Sequence, residues 1–173
     1  IMVYSTITPT NQDVTAKITF ENKQNVTITN NGGKDTYTFN ENGEFTFEFM
    51  DEAGNRGAVN AIVNWIDKIA PRATVSYDIT ENTNGNVIAT LENASEEITI
   101  TNNDGNNTYT FTKNGEFTFE FVDKAGNRGT AKATVTWIDR TLPIATITYN
   151  TTELTNQDVI ATITFDKENV TVE

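Results

Sequence analysis

Oxygen-bearing side chains recur at matched positions along this chain. Asp51 and Asn55 bracket one Asp-x-Ala-Gly-Asn run, Asp123 and Asn127 bracket another, and Asp67 and Asp139 each follow a Trp-Ile pair. Carboxylates and amide oxygens are hard donors, and calcium takes about six to eight such oxygens, backbone carbonyls often among them. These positions are the candidate metal ligands, with calcium as the candidate ion. Ordinary turn chemistry explains the same residues: an Asp in a turn accepts from backbone two residues on, and Gly supplies positive φ. Two or three side chains per loop form a thin ligand set, so the turn reading is the stronger one.

Other groups that suggest chemistry fare less well. Glu44 and Glu48 lie on one strand face, and Glu116 and Glu120 copy them. A glycosidase pair sits about 5–10 Å apart across a cleft, yet a catalytic pair is rarely duplicated in every unit of an array. The solvated outer face of a sheet is the better account. Trp65 and Trp137 have the rings to stack on sugars, but alternation with Ala61 and Val63, and with Ala133 and Val135, sends them inward. Ile66 and Ile138 then fall on the outer face, where they would seal a contact between modules. The chain has no His and no Cys, which removes the usual general base, the usual zinc ligand and any disulfide framework. A net charge of −12 argues against a nucleic-acid partner, because phosphate binding needs Lys and Arg clusters. No stretch approaches the roughly 20 apolar residues of a membrane span. Ile1 to Tyr4 do not open a signal peptide, and the chain reads as an excised fragment.

The elements that position these residues repeat. Tyr37 to Pro71 returns at Tyr109 to Pro143 with about two-thirds of the residues unchanged, and Thr10 to Phe20 returns at Thr155 to Phe165. A period of this length marks an array of small modules. Within each, Phe45, Phe47 and Phe49 alternate with Glu44, Thr46 and Glu48, the pattern of a half-buried antiparallel strand. Val14 to Phe20, Val26 and Ile28, Tyr37 and Phe39, and Ala61 to Trp65 supply further strands. Asn42-Gly43 and Asn114-Gly115 suit positive φ in tight hairpins, and Asn31-Gly32-Gly33 and Asp104-Gly105 mark the hairpins before them. Pro71 and Pro143 suit short, stiff crossings into the next module. The boundaries fall at 1–69, 70–141 and 142–173, and a short crossing predicts a rod.

The Asn-Gly-Glu-Phe-Thr-Phe-Glu-Phe strand, the Ala-Gly-Asn-Arg-Gly loops ending at Gly57 and Gly129, and the Trp-Ile-Asp-x-x-x-Pro junctions resemble the bacterial immunoglobulin-like (Big-type) modules. Those occur in tandem on surface proteins, adhesins and secreted glycosidases. The resemblance implies an all-β fold: tandem immunoglobulin-like β-sandwich modules of about 70 residues, with six or seven antiparallel strands each. It also implies export to the surface or medium of a Gram-positive bacterium, and calcium in loops or between modules. A Lys–Asn isopeptide bond occurs in some such modules. Lys17 is the candidate here, but Thr90 and Thr162 stand at the corresponding sites and speak against the bond.

The leading expectation is a non-catalytic stalk or spacer whose partners are its neighbouring repeats. The alternative is an adhesin module holding a glycan or host protein in its end loops, with divergence concentrated there, as between Glu21–Gln24 and Glu92–Ser95. The second repeat also carries Asn84-Gly85-Asn86 where the others have Asn11-Gln12-Asp13 and Asn156-Gln157-Asp158. The third repeat, Ile144 to Glu173, lacks the hairpin and Trp strands, and its unpaired edges predict strand exchange with another chain or a neighbouring module.

Overall fold

Alternating residues with one apolar face must pair at their edges and cover that face. The computed structural model, which describes residues 1–21, 25–168 and 170–171, shows how they do so. The first repeat contains β1 (Met2–Tyr4), β2 (Val14–Ile18), β3 (Val26–Ile28), β4 (Thr36–Phe39), β5 (Gly43–Asp51) and β6 (Arg56–Val63). The second contains β7 (Thr74–Tyr77), β8 (Val87–Glu92), β9 (Ile98–Ile100), β10 (Thr108–Phe111), β11 (Gly115–Asp123) and β12 (Arg128–Val135). Two strands follow, β13 (Ala145–Tyr149) and β14 (Ala161–Phe165).

Each complete repeat is a sandwich of two three-stranded antiparallel sheets, ordered β1-β2-β4 and β3-β5-β6, then β7-β8-β10 and β9-β11-β12. Val14, Ala16 and Ile18 from one sheet and Phe47, Ala61 and Val63 from the other meet in a single buried cluster. Val87, Ala89, Leu91, Phe119, Ala133 and Val135 repeat it. Fully burying a Val, Leu or Phe side chain contributes about 1.5–3 kcal/mol, so these paired inner faces supply the main driving force.

The connections differ from the turn-by-turn expectation. Asn42-Gly43 and Asn114-Gly115 do not adopt positive φ and do not form hairpins, because β4 and β5 belong to opposite sheets. Instead the Asn42 side chain grips the end of the Trp strand. Its Nδ2 donates to Ile66 O at 2.8 Å and its Oδ1 accepts from Ile66 N at 2.8 Å. Asn114 does the same to Ile138. Asn31-Gly32-Gly33 and Asn103-Asp104-Gly105 do visit positive φ, but as 3-10 turns that carry the chain across the sandwich. The tight hairpin is the Asp51–Asn55 loop between β5 and β6, copied at Asp123–Asn127.

That grip also overturns the outward placement of Ile66 and Ile138. Both are 7 % exposed and lie in their own module's core. The ladder of β6 ends at Val63, and Ile66 then bridges Thr10 in parallel, as Ile138 bridges Thr83. Strand alternation stops predicting sides once the strand has ended. Trp65 and Trp137 are half-buried, each meeting a tyrosine edge-on, Tyr4 and Tyr77. Lys17 is half-exposed and pairs with Asp35 on the outer face.

Among the described residues β13 and β14 pair only with each other. Ile147 is 57 % exposed and Ile163 is 44 % exposed, whereas Leu91, the counterpart of Ile163, is 5 % exposed. Of the end-loop segment Glu21–Gln24, residues 22–24 lie outside the described residues, as do 169 and 172–173 of the third repeat.

Candidate functional site at the repeat junction

The Asp-x-Ala-Gly-Asn loop is built first by its own residues. Asp51 Oδ1 accepts from Asn55 N at 2.8 Å and Asp51 Oδ2 accepts from Asn55 Nδ2 at 2.8 Å. Gly54 closes the turn at φ +87, a conformation that costs a side-chain-bearing residue but not Gly. Asp123 and Asn127 reproduce both bonds at 2.8 Å. The loop is a turn with its glycine at positive φ, as expected, but the Asp accepts from the Asn four residues on rather than from backbone two residues on. The Asn55 side chain and amide hold the Asp51 carboxyl below its ordinary range. Burial works to raise Asp123, but the Asn127 side chain and the amides of Asn127, Gly126 and Ala125 outweigh it, and its carboxyl is also held low.

The second loop does something the first does not. Asn127 Nδ2 also donates to Asp67 O of the preceding repeat at 2.9 Å, and Asn11 N donates to Ala125 O at 3.0 Å. The leading end of the second repeat therefore sits on the trailing end of the first. Gly129 makes room for this: a Cβ there would lie 2.4 Å from Pro71 O and 2.4 Å from Phe121 Cε2. At Gly57 the ring of Phe49 alone would be met, at 2.5 Å. Phe121 is accordingly buried where Phe49 is half-buried beside an open cavity of about 400 Å³ lined by Thr29, Glu48, Arg56 and Gly57.

Of the candidate metal ligands, the junction gathers Asp67 and Asp123. Glu96 joins them, and the three carboxylates offer oxygens within 4.8 Å of one another. Asn127 turns its donor nitrogen, not its oxygen, toward this group. Burial pushes the Glu96 carboxyl up, and the Asp123 and Asp67 charges add to that. Glu96 escaped the sequence reading because it sits in a loop with no periodic signal and comes close to Asp67 only through the contact between repeats. Asp51 and Asn55 lie at the far end of the first repeat, away from this cluster. Asp139, the counterpart of Asp67, meets an ammonium instead. Lys167 Nζ donates to Asp139 Oδ2 at 2.6 Å and to Thr141 O at 2.7 Å, and also contacts Thr141 Oγ1. That Lys167 bond, followed by those from the Thr141 hydroxyl and amide, holds the Asp139 carboxyl well below the usual range.

The strand carboxylates Glu44, Glu48, Glu116 and Glu120 are solvated. Glu44 accepts from Asn60 Nδ2 at 2.6 Å and Glu116 pairs with Lys132 at 2.7 Å, all on the outer face. No described helix is long and apolar enough to cross a membrane.

No curated protein matches the chain. Among solved structures, one described as "Crystal structure of tetra-tandem repeat in extending region of large adhesion protein" is similar at 17 % identity with a TM-score of 0.24. That match covers 95 % of this chain and 62 % of the other. At that TM-score the likeness adds nothing about how the repeats are arranged. The profile of the bacterial Ig-like domain matches residues 2–68 and again 70–140. Two sandwiches of matched topology, each covered by that profile, make this chain a member of the bacterial Ig-like domain family.

Proposed function

We propose that the chain is a non-catalytic spacer, a stalk segment of a bacterial surface or secreted protein whose repeats stiffen one another. The observation that carries this reading is the junction itself. The residues that recur from repeat to repeat, the Ala-Gly-Asn loop and the Trp-Ile-Asp-x-x-x-Pro crossing, are the ones that touch across it. A short crossing with hydrogen bonds on both sides limits rotation between neighbours and favours a rod. Spin labels on β4 and β10 would test it. A narrow distance distribution is expected, and a broad one spanning many orientations would refute the stalk.

Calcium belongs to this reading as a proposal for the first junction. Asp67, Glu96 and Asp123 repel one another there, and a divalent cation would relieve that repulsion through hard oxygens. Calcium should raise the melting temperature over chelator in the full chain and not in the Glu96→Gln variant. An unchanged melting temperature in the full chain would remove calcium and leave the spacer standing. The adhesin alternative would place a glycan or host protein on the end loops. At the first junction one such loop, around Asn11, is already engaged by Ala125, which favours the spacer.

A further inference from the structure

The sequence contains four Asn-Gly steps, at Asn31, Asn42, Asn84 and Asn114. Such a step is chemically labile. The glycine nitrogen attacks the Asn side-chain carbon, the new N–C bond forms, and the Cγ–Nδ2 bond breaks with release of ammonia. Water then opens the cyclic imide to aspartate or isoaspartate. Glycine favours the attack because it has no Cβ to obstruct it and reaches the required backbone angles easily. The folded chain must hold the Asn side chain and the following nitrogen out of line to prevent it.

Three of the four steps are held in this way. Asn42 and Asn114 use both amide atoms to grip Ile66 and Ile138, at 2.8–2.9 Å. The following Gly43 and Gly115 are strand residues paired with Val63 and Val135. Asn31 Nδ2 donates to Lys34 O at 3.1 Å and to Thr36 O at 2.7 Å. Asn84 differs. It is exposed, lies in a bend between strands, and its side chain makes no hydrogen bond among the described residues. Among the described residues the one restraint on the step is Gly85 N donating to Thr83 Oγ1 at 2.9 Å.

We propose that Asn84 is the site of spontaneous deamidation in this chain and that the fold spares the other three. The site lies where damage would matter. Thr83, one residue before, holds the trailing strand through Thr83 N to Trp137 O at 3.0 Å and Asp139 N to Thr83 O at 2.8 Å. Two residues after Asn84, Asn86 Oδ1 accepts from Arg140 at 2.6 Å. Isoaspartate at 84 adds a methylene to the backbone beside these bonds, and either product adds a negative charge. The first and third repeats carry Asn11-Gln12 and Asn156-Gln157 here, with the same turn: Gln12 N and Gln157 N donate to Thr10 Oγ1 and Thr155 Oγ1 at 3.1 and 3.0 Å. Only the second repeat has the labile glycine.

The test is to age the full chain at mildly alkaline pH and map the amide-to-acid mass gain by peptide mass spectrometry. A denatured sample serves as reference, and Gly85→Gln as the variant. Gly85 does not have positive φ, and a Cβ there would come 3.3 Å from Thr83 Oγ1, a close approach that a small shift of the hydroxyl relieves, as the same turn holds glutamine at Gln12 and Gln157. Loss of the Asn84 amide is expected first in the folded chain, at all four steps in the denatured chain, and not at Asn84 in Gly85→Gln. The assignment is overturned if Asn31, Asn42 or Asn114 reacts first when folded. It is also overturned if all four stay intact when folded, or if Gly85→Gln loses the Asn84 amide at the wild-type rate.

Discussion

Asn55 and Asn127 are the same residue in the same loop, and that equivalence allows the contact between repeats to be weighed alone. Each amide donates to the Asp that opens its loop, at 2.8 Å in both cases. Asn127 alone donates across the junction, to Asp67 O at 2.9 Å. Replacing each by Ala removes the shared loop bond twice over, and it cancels in the comparison. What remains is one neutral hydrogen bond in a half-buried setting, worth about 0.5–1.5 kcal/mol net. Asp123 is 7 % exposed, and its loss of a partner pushes toward the upper end of that range. Asn127→Ala is therefore expected to lower the stability of the full chain by about 1–1.5 kcal/mol more than Asn55→Ala, roughly a five- to twelvefold change in equilibrium constant. The assay is chemical denaturation of both variants, read together with the spin-label distance across the junction. The distance distribution should broaden for Asn127→Ala and stay narrow for Asn55→Ala. Equal losses with unchanged distances would refute the argument that this loop is a latch.

Other perturbations separate the remaining contacts. Gly129→Ala should destabilise by about 1–3 kcal/mol and more than Gly57→Ala, because its Cβ meets the Pro71 carbonyl as well as an aromatic ring; denaturation midpoints check the order. Asn42→Ala leaves the Ile66 N–H and C=O without the side chain that pairs them, and should cost about 1–3 kcal/mol, seen as a lower melting temperature without change in the fold. The carboxyl of Asp139 is lowered from 3.8 by Lys167. The stability it lends is complete above that pH and is lost as the pH falls through its lower folded value. The Lys167 contact should persist at pH 5 and vanish in strong acid, followed by the Lys167 NMR signals. Glu96 runs the other way: its carboxyl is raised from 4.5, so acidifying from neutral pH down to that value should tighten the first junction with no further gain below it, and Glu96→Gln should abolish the trend. The bare ribbon of β13 and β14, with Ile147 and Ile163 exposed, is expected to recruit another chain; a monomer by light scattering at high concentration would count against it.

Alternation along Gly43–Asp51 was enough to assign the faces of Phe47 and Glu44, since a strand turns each residue to the opposite side. Repetition was enough to divide the chain into units. Neither signal reaches past the end of a strand, which is why alternation sends Ile66 outward although it is buried. Turn residues were legible as turns, but Asn42-Gly43 shows that composition does not say whether a turn reverses a strand or crosses a sandwich. The Asp-x-Ala-Gly-Asn loops were visible as polar turns, but the bonds that close them run from each Asp to the Asn four residues on, which the turn rule of two residues does not anticipate.

By itself, the sequence determined the β alternation, the repeated sandwich halves and the absence of His and Cys chemistry, because these depend on local residue order and composition. Tertiary structure alone decided that Asn127 reaches Asp67, that Glu96 stands beside two aspartates, and that Asn84 is left ungripped while Asn42 and Asn114 are held. Asn55 and Asn127 share the Ala-Gly-Asn-Arg-Gly run and the bond to their own loop Asp, and only Asn127 has a partner beyond it. The difference lies in what packs against them, and packing between distant segments leaves no mark on the residues nearby.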